Sequence, residues 1–144
     1  MASAPPAGIP YAPPMFSLTV EHTFSAAHAL VISGAQEPLH GHDFHVTVTV
    51  EGLGENPLDA DGLLCDFHTV HDVLKAVCEP FHNNNLNRVE PFKSGLNPSA
   101  ELIAKHLYDQ LAARLGASLA PNARVASVRI SESPGCHAIY APRA

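Results

Sequence analysis

The chain has 144 residues, a formal net charge of −6, and eight Lys plus Arg against fourteen Asp plus Glu. That length suits one hydrophobic core and not two, and a hydrophobic content of 46% argues against wholesale disorder. So acidic a balance speaks against broad nucleic-acid or anionic-membrane binding, and no apolar run nears the ~20 residues that cross a bilayer.

Residues 1–15 read MASAPPAGIPYAPPM, which predicts a flexible or polyproline-like tail. One domain is expected over residues 16–144. No basic stretch precedes an apolar run at the start, so no secretory signal is expected. Phe16, Leu18, Val20, Phe24, Ala26 and His28 share one parity and predict a strand with one apolar face. VISGAQEPL follows as a loop, broken by Gly34 and Pro38. A second strand runs from His40 to Gly52, with Phe44, Val46, Val48 and Val50 on the face of His40 and His42, and His45, Thr47, Thr49 and Glu51 opposite.

Over residues 69–81 the period becomes helical, with Val70, Val73, Leu74, Val77 and Phe81 on one stripe and Asp66 or Thr69 as N-cap. A second helix opens at NPSAE, capped by Asn97 or Ser99, with Leu102, Ile103, His106, Leu107, Leu111 and Leu115 as its stripe and Gly116 as its stop. Two short strands close the chain. Ala126, Val128, Ile130 and Glu132 share a face in the first, and the second covers residues 137–140. The order ββααββ predicts an α+β domain with both helices on one sheet face.

The compositional departure is histidine: ten His outnumber the Lys plus Arg. His40-Gly41-His42 on a strand turns both imidazoles to one side, because side chains alternate with period two. His28 ends the preceding strand on its apolar face. If the two strands pair, three imidazoles converge at the end of the sheet. Three neutral His with a fourth position open make a catalytic type of zinc site. An unpaired His on an otherwise apolar face would be costly. His45 has the opposite parity and is expected in solvent, and His22 reads as a hydrogen-bonded core or interface residue. Cys65, Cys78 and Cys136 are too few and too scattered for a disulfide scaffold or a paired zinc knuckle, so a reducing, cytoplasmic setting is expected. Cys65 reads as a buried strand residue and Cys78 as part of a helix.

FSAAHAL, LHGHDFHVTV, GLLCDF, NNNLN, NPSAELIAKHL and ESPGCHAIY occur in this order. Together they resemble the 6-pyruvoyl-tetrahydropterin synthase and 6-carboxytetrahydropterin synthase family over about residues 16–141. The resemblance implies the tunnelling fold, a ββααββ subunit whose sheets join in a trimer, two trimers making a hexamer. It implies a zinc ion held by His28, His40 and His42. It also implies a pterin pocket in which Glu132 grips the ring N–H groups, a planar, charge-assisted recognition. Ser99 matches a pterin-contacting position and equally suits a plain N-cap.

The chain departs from the family at its catalytic positions. The family's Cys falls on Gln36, and its Asp-His pair falls on His82 and Asn83. Glu37 stands in an E-x-x-H-G-H frame that one branch of the family uses in place of the Cys, and a carboxylate beside a dication is a candidate general base. His82 is a candidate proton carrier, since its ordinary pKa suits that task. The resemblance thus implies a zinc-dependent lyase acting on a dihydropterin such as 7,8-dihydroneopterin triphosphate, with Arg88, Lys93 or Lys105 meeting the phosphates and the side-chain chemistry altered. The alternative is a pterin-binding homologue without synthase activity.

Overall fold

The computed structural model describes residues 15–143. The proline-rich tail expected over residues 1–15 lies, Met15 apart, outside the described residues. In chain order the elements are β1 (Ser17–His28), β2 (Val31–Ile32), β3 (Ala35–Gln36), β4 (His40–Gly52), α1 (Phe67–Cys78), β5 (Asn84–Asn85), α2 (Ala100–Leu119), β6 (Ala123–Ser133) and β7 (Cys136–Tyr140). The main sheet has the order β5-β1-β4-β6-β7. It is antiparallel apart from the short parallel pair of β1 with β5. The long strands and the two helices give the expected ββααββ subunit.

One sheet face carries Phe24, Phe44, Val46, Val48, Val50, Val128 and Ile130. It meets Val70, Leu74 and Val77 of α1 and Ile103, Leu107, Leu111 and Leu115 of α2. Each such side chain contributes roughly 1.5–3 kcal/mol on burial. Phe24 and Phe44, cross-strand partners, stack at 5.2 Å. His106 belongs to this helix stripe: it lies edge-on to Phe81 and Phe92, and burial pulls its pKa down.

Five details differ from expectation. The segment after β1 is a hairpin, because Ser33 and Gly34 both take positive φ (51° and 82°) and make the two-residue turn that β2 and β3 need. α1 starts at Phe67, with the Asp66 carboxylate accepting the His68 N–H at 2.9 Å, and gives way at Cys78 to a 3₁₀ turn containing Pro80. α2 runs through Gly116 to Leu119, since Leu119 still has core to bury. It stops before Pro121, whose ring disfavours a helical residue ahead of it. In β6 a bulge opposite Thr49 and Val50 of β4 flips the parity. Val128 and Ile130 keep the predicted face, Val125 and Ala123 take it on the other side of the bulge, and Ala126 is left half-buried. Cys65 is likewise half-buried in a bend and not in a strand.

Candidate metal centre and its surroundings

The register of β1 on β4 sets the three histidines directly. His28 pairs with His40, and Ala26 pairs with His42. The small Ala26 leaves the space that a third ring requires. The ring centroids stand 4.7, 5.1 and 4.8 Å apart, and one ring nitrogen from each lies within 4.8 Å of the others. Phe44 closes the cluster beneath, 5.4 Å from both His28 and His42.

Backbone carbonyls set the chemistry of two rings. His28 Nδ1 donates to Pro98 O at 2.8 Å, and His40 Nδ1 donates to Pro38 O at 2.9 Å. A carbonyl can only accept, so the proton sits on Nδ1 and the Nε2 lone pair is bare. Nε2 of His28 and of His42 is buried with no hydrogen-bond partner. Burial also holds His42 below the usual imidazole pKa, against the pull of Glu132. Orphaned buried acceptors cost free energy unless something fills the space between them. A divalent cation that takes neutral imidazole, zinc foremost, is the group this donor set fits.

Two carboxylates flank the cluster. Glu132 reaches it from the end of β6, with Oε1 3.8 Å from His28 Nε2 and Oε2 4.0 Å from His42 Nε2. Glu37 lies 3.7 Å from His40 Nε2, and its position is fixed: its carboxylate accepts the Leu30 N–H at 3.0 Å and its own N–H donates to Leu30 O at 2.9 Å. Two further clamps hold this segment, and sequence reasoning missed both. Asn87 pairs through its amide with both backbone groups of Ala29, and Asn97 does the same to Val31. An Asn amide can mimic a strand partner, but here the partners are 58 and 66 positions away, so no local pattern marks them.

The remaining candidates fall elsewhere. Ser99 caps α2, its hydroxyl accepting the Leu102 N–H at 3.2 Å, one residue from the carbonyl that orients His28. His82 does not join the cluster. Its Nδ1 accepts the Ser25 N–H at 3.2 Å, three residues back along β1 from His28, or about 10 Å at strand spacing. Asn83, at the other replaced position, takes a positive φ of 58° and donates to Ser25 O. His45 is exposed and hydrogen-bonded to Thr23, as its parity predicts. Neither buried thiol replaces the missing Cys: burial pushes Cys78 up to about 12 and raises Cys65, and both are poor nucleophiles, while Cys136 is exposed on β7. Gly41 is not demanded by the chain itself, since a Cβ there would meet only Ala26 O at an ordinary 3.5 Å.

Fold and site together define a class: a small α+β subunit with a three-histidine candidate metal centre at the end of its sheet, rimmed by acids. The family model for 6-pyruvoyl tetrahydropterin synthase matches residues 17–143, so the chain belongs to that family, a group of enzymes of pterin metabolism. It is 31% identical to Bacillus subtilis 6-carboxy-5,6,7,8-tetrahydropterin synthase, over 96% of this chain and 92% of that one. It is 33% identical to a Pyrococcus furiosus dihydroneopterin monophosphate aldolase, over 62% of this chain and 68% of that one. The fold matches Caenorhabditis elegans 6-pyruvoyl tetrahydropterin synthase with a TM-score of 0.74 at 19% identity, covering 92% and 99% of the two chains. It matches the Plasmodium vivax 6-pyruvoyltetrahydropterin synthase with a TM-score of 0.71 at 21% identity, covering 88% and 97%, in a form with alanine at a glutamate described as a catalytic residue. The subunit therefore has the tunnelling fold.

Proposed function

We propose that the protein is a zinc-dependent lyase that cleaves the side chain of a dihydropterin, 7,8-dihydroneopterin or a phosphate ester of it. The carrying observation is the convergence of ring nitrogens from His28, His40 and His42 between Glu37 and Glu132. His28, His40 and His42 hold the ion. When bound, zinc supplies Lewis acidity that lowers the pKa of the substrate's side-chain hydroxyls. Glu132 accepts paired N–H bonds from the pterin ring, and Ser99, beside the carbonyl that fixes His28, assists.

Glu37 acts as the general base. In carbon–carbon cleavage it takes the proton from the hydroxyl on the second side-chain carbon. The bond between the first and second carbons breaks, the second carbon leaves as an aldehyde, and a proton returns to the first carbon. The glutamate described as catalytic in the Plasmodium vivax relative is a precedent for a carboxylate in this family's chemistry. His82 supplies the returning proton. It lies too far from its own cluster to reach it, so a neighbouring copy must bring it in. That requirement favours the trimer-of-subunits assembly, two trimers to a hexamer.

The test is product analysis. Zinc-loaded protein incubated with dihydroneopterin and its phosphates should yield a shortened pterin, resolved by chromatography. Glu37→Gln and His82→Asn should each lower turnover by roughly 10²–10⁴-fold while zinc stays bound. Mixing the two inactive variants should restore part of the activity if His82 serves a neighbour's site. A wild-type yield of pyruvoyl product would show that the replaced Cys and Asp-His positions are no handicap. Binding without any product would leave the pterin-binding alternative.

A further inference from the structure

We infer that the protein holds a phosphate group at a second site, on the sheet face away from the helices. Strand alternation sets that face. Phe44, Val46, Val128 and Ile130 pack toward the helices, so His45, Arg129 and Ser131 turn the other way. The register lines up one row across four strands: Thr23 on β1, His45 on β4, Ser131 on β6 and His137 on β7. Arg129 stands in the next row, paired with Thr47 of β4. These side chains border a cavity of about 270 Å³.

Arg129 donates to His137 Nε2 at 2.6 Å. An accepting Nε2 puts the His137 proton on Nδ1, so this ring presents an N–H as well. The guanidinium keeps further N–H groups for a ligand. His45 Nδ1 and the Thr23 hydroxyl share a hydrogen bond of 2.8 Å. With the hydroxyl donating, the Nε2–H of His45 is left for the same ligand. One full positive charge flanked by two imidazole N–H groups is a donor set that suits a tetrahedral oxyanion. On the same strand, Arg124 is taken by Glu51, whereas Arg129 meets an imidazole lone pair. The cavity's carboxylate, Glu21, stands at its other end: it shares the Arg129 row but lies on β1, two strands from β6, or about 10 Å. β4 and β6 are inner strands in the order β5-β1-β4-β6-β7, so a copy joined at either sheet edge leaves His45 and Arg129 in place. A phosphate here ties β4, β6 and β7 together. The site is independent of the metal centre, because His40 and His42 have the opposite parity to His45.

The experiment is a calorimetric titration of the purified protein with inorganic phosphate, at an ionic strength held constant with chloride, paired with thermal unfolding. The wild type should bind saturably with a roughly millimolar dissociation constant. Its unfolding midpoint should climb with phosphate beyond the climb in chloride. Arg129→Gln should weaken binding roughly tenfold or more and lose that extra climb. A general stabilising effect of phosphate salts is common to both proteins and drops out of the comparison. The double variant His40→Ala and His42→Ala should bind phosphate as the wild type does, since the metal centre lies on the other face. If Arg129→Gln fails to fold, His45→Val takes its place, with a several-fold loss expected. Glycerol phosphate separates two sources of the group: binding weaker than the free ion assigns the site to inorganic phosphate, and equal or tighter binding assigns it to a phosphate ester. No binding by the wild type overturns the inference. So does an unchanged constant in Arg129→Gln or in its substitute, and so does loss of binding in the double histidine variant.

Discussion

At one end of β1, His28 joins His40 and His42, and the rings turn Nε2 atoms toward a common point. Six residues earlier on the same face, His22 meets His71 edge-on at 5.9 Å, close enough to His82 for its charge to be felt. Both groups are histidine-rich, and only the first is organised to coordinate. The difference lies in which backbone group touches Nδ1. At His28 and His40 it is a carbonyl, which leaves Nε2 a bare acceptor. At His82 it is the Ser25 N–H, which makes Nδ1 the acceptor and puts the proton on Nε2. One arrangement leaves a lone pair open to a metal and the other leaves an N–H, from the same type of side chain.

The sharpest way to break the comparison is metal content. Purified protein should hold about one zinc per chain. The double variant His40→Ala and His42→Ala should hold none, while His22→Ala with His71→Ala should keep its full complement. Elemental analysis decides it, and stoichiometric zinc in the first variant would sink the site as drawn.

Next in size is the acid between the ligands. Glu132→Gln swaps an acceptor for an NH₂ donor, which would face the donor edge of a bound pterin. The loss of a charge-assisted hydrogen bond is worth roughly 1.5–3 kcal/mol, or about one to two powers of ten in affinity. An unchanged dissociation constant for neopterin, by calorimetry, would remove Glu132 as the anchor.

The metal end was legible in the sequence because strand periodicity is rigid. Once β1 and β4 pair, an H-x-H and a strand-end His must meet, and the register of His28 on His40 needs no other information. The resemblance added the fold and the place of Glu132. Three things could not be read. The parity flip in β6 comes from a bulge, which leaves no mark on the alternation of Ala, Val and Ile. The distance of His82 from the cluster depends on where β5 docks against β1, a contact of two residues only. The clamps of Asn87 and Asn97 join residues 58 and 66 positions apart, beyond any local pattern. Asn87→Ala tests how much the clamp matters. It strands both backbone groups of the nearly buried Ala29, and the cost should be about 1–3 kcal/mol in urea unfolding. Weaker zinc retention should follow, because His28 adjoins the freed segment.

The smallest expected effect concerns the other histidine group. The pKa of His22 is lowered from the ordinary 6.5, first by burial, then by His71, Lys75 and His82, with Glu79 pulling the other way. A lowered pKa means that the folded chain binds fewer protons at this site than the unfolded chain does. The neutral ring therefore costs nothing above pH 6.5. As the pH falls below 6.5 the unfolded state gains a proton first, and stability drops until the pH passes the folded value. A metal held by the other cluster would be released in acid and would destabilise the protein as well, so the wild type alone would not isolate the effect. The comparison with His22→Gln can, because the metal contribution is common to both and the sites stand far enough apart to add. The difference in unfolding free energy between wild type and variant should be flat above pH 6.5 and should then shift in the variant's favour as the pH drops. A difference that stays constant down to the acid limit would mean that His22 is as free to protonate in the fold as outside it, and that the two histidine groups differ less than their geometry indicates.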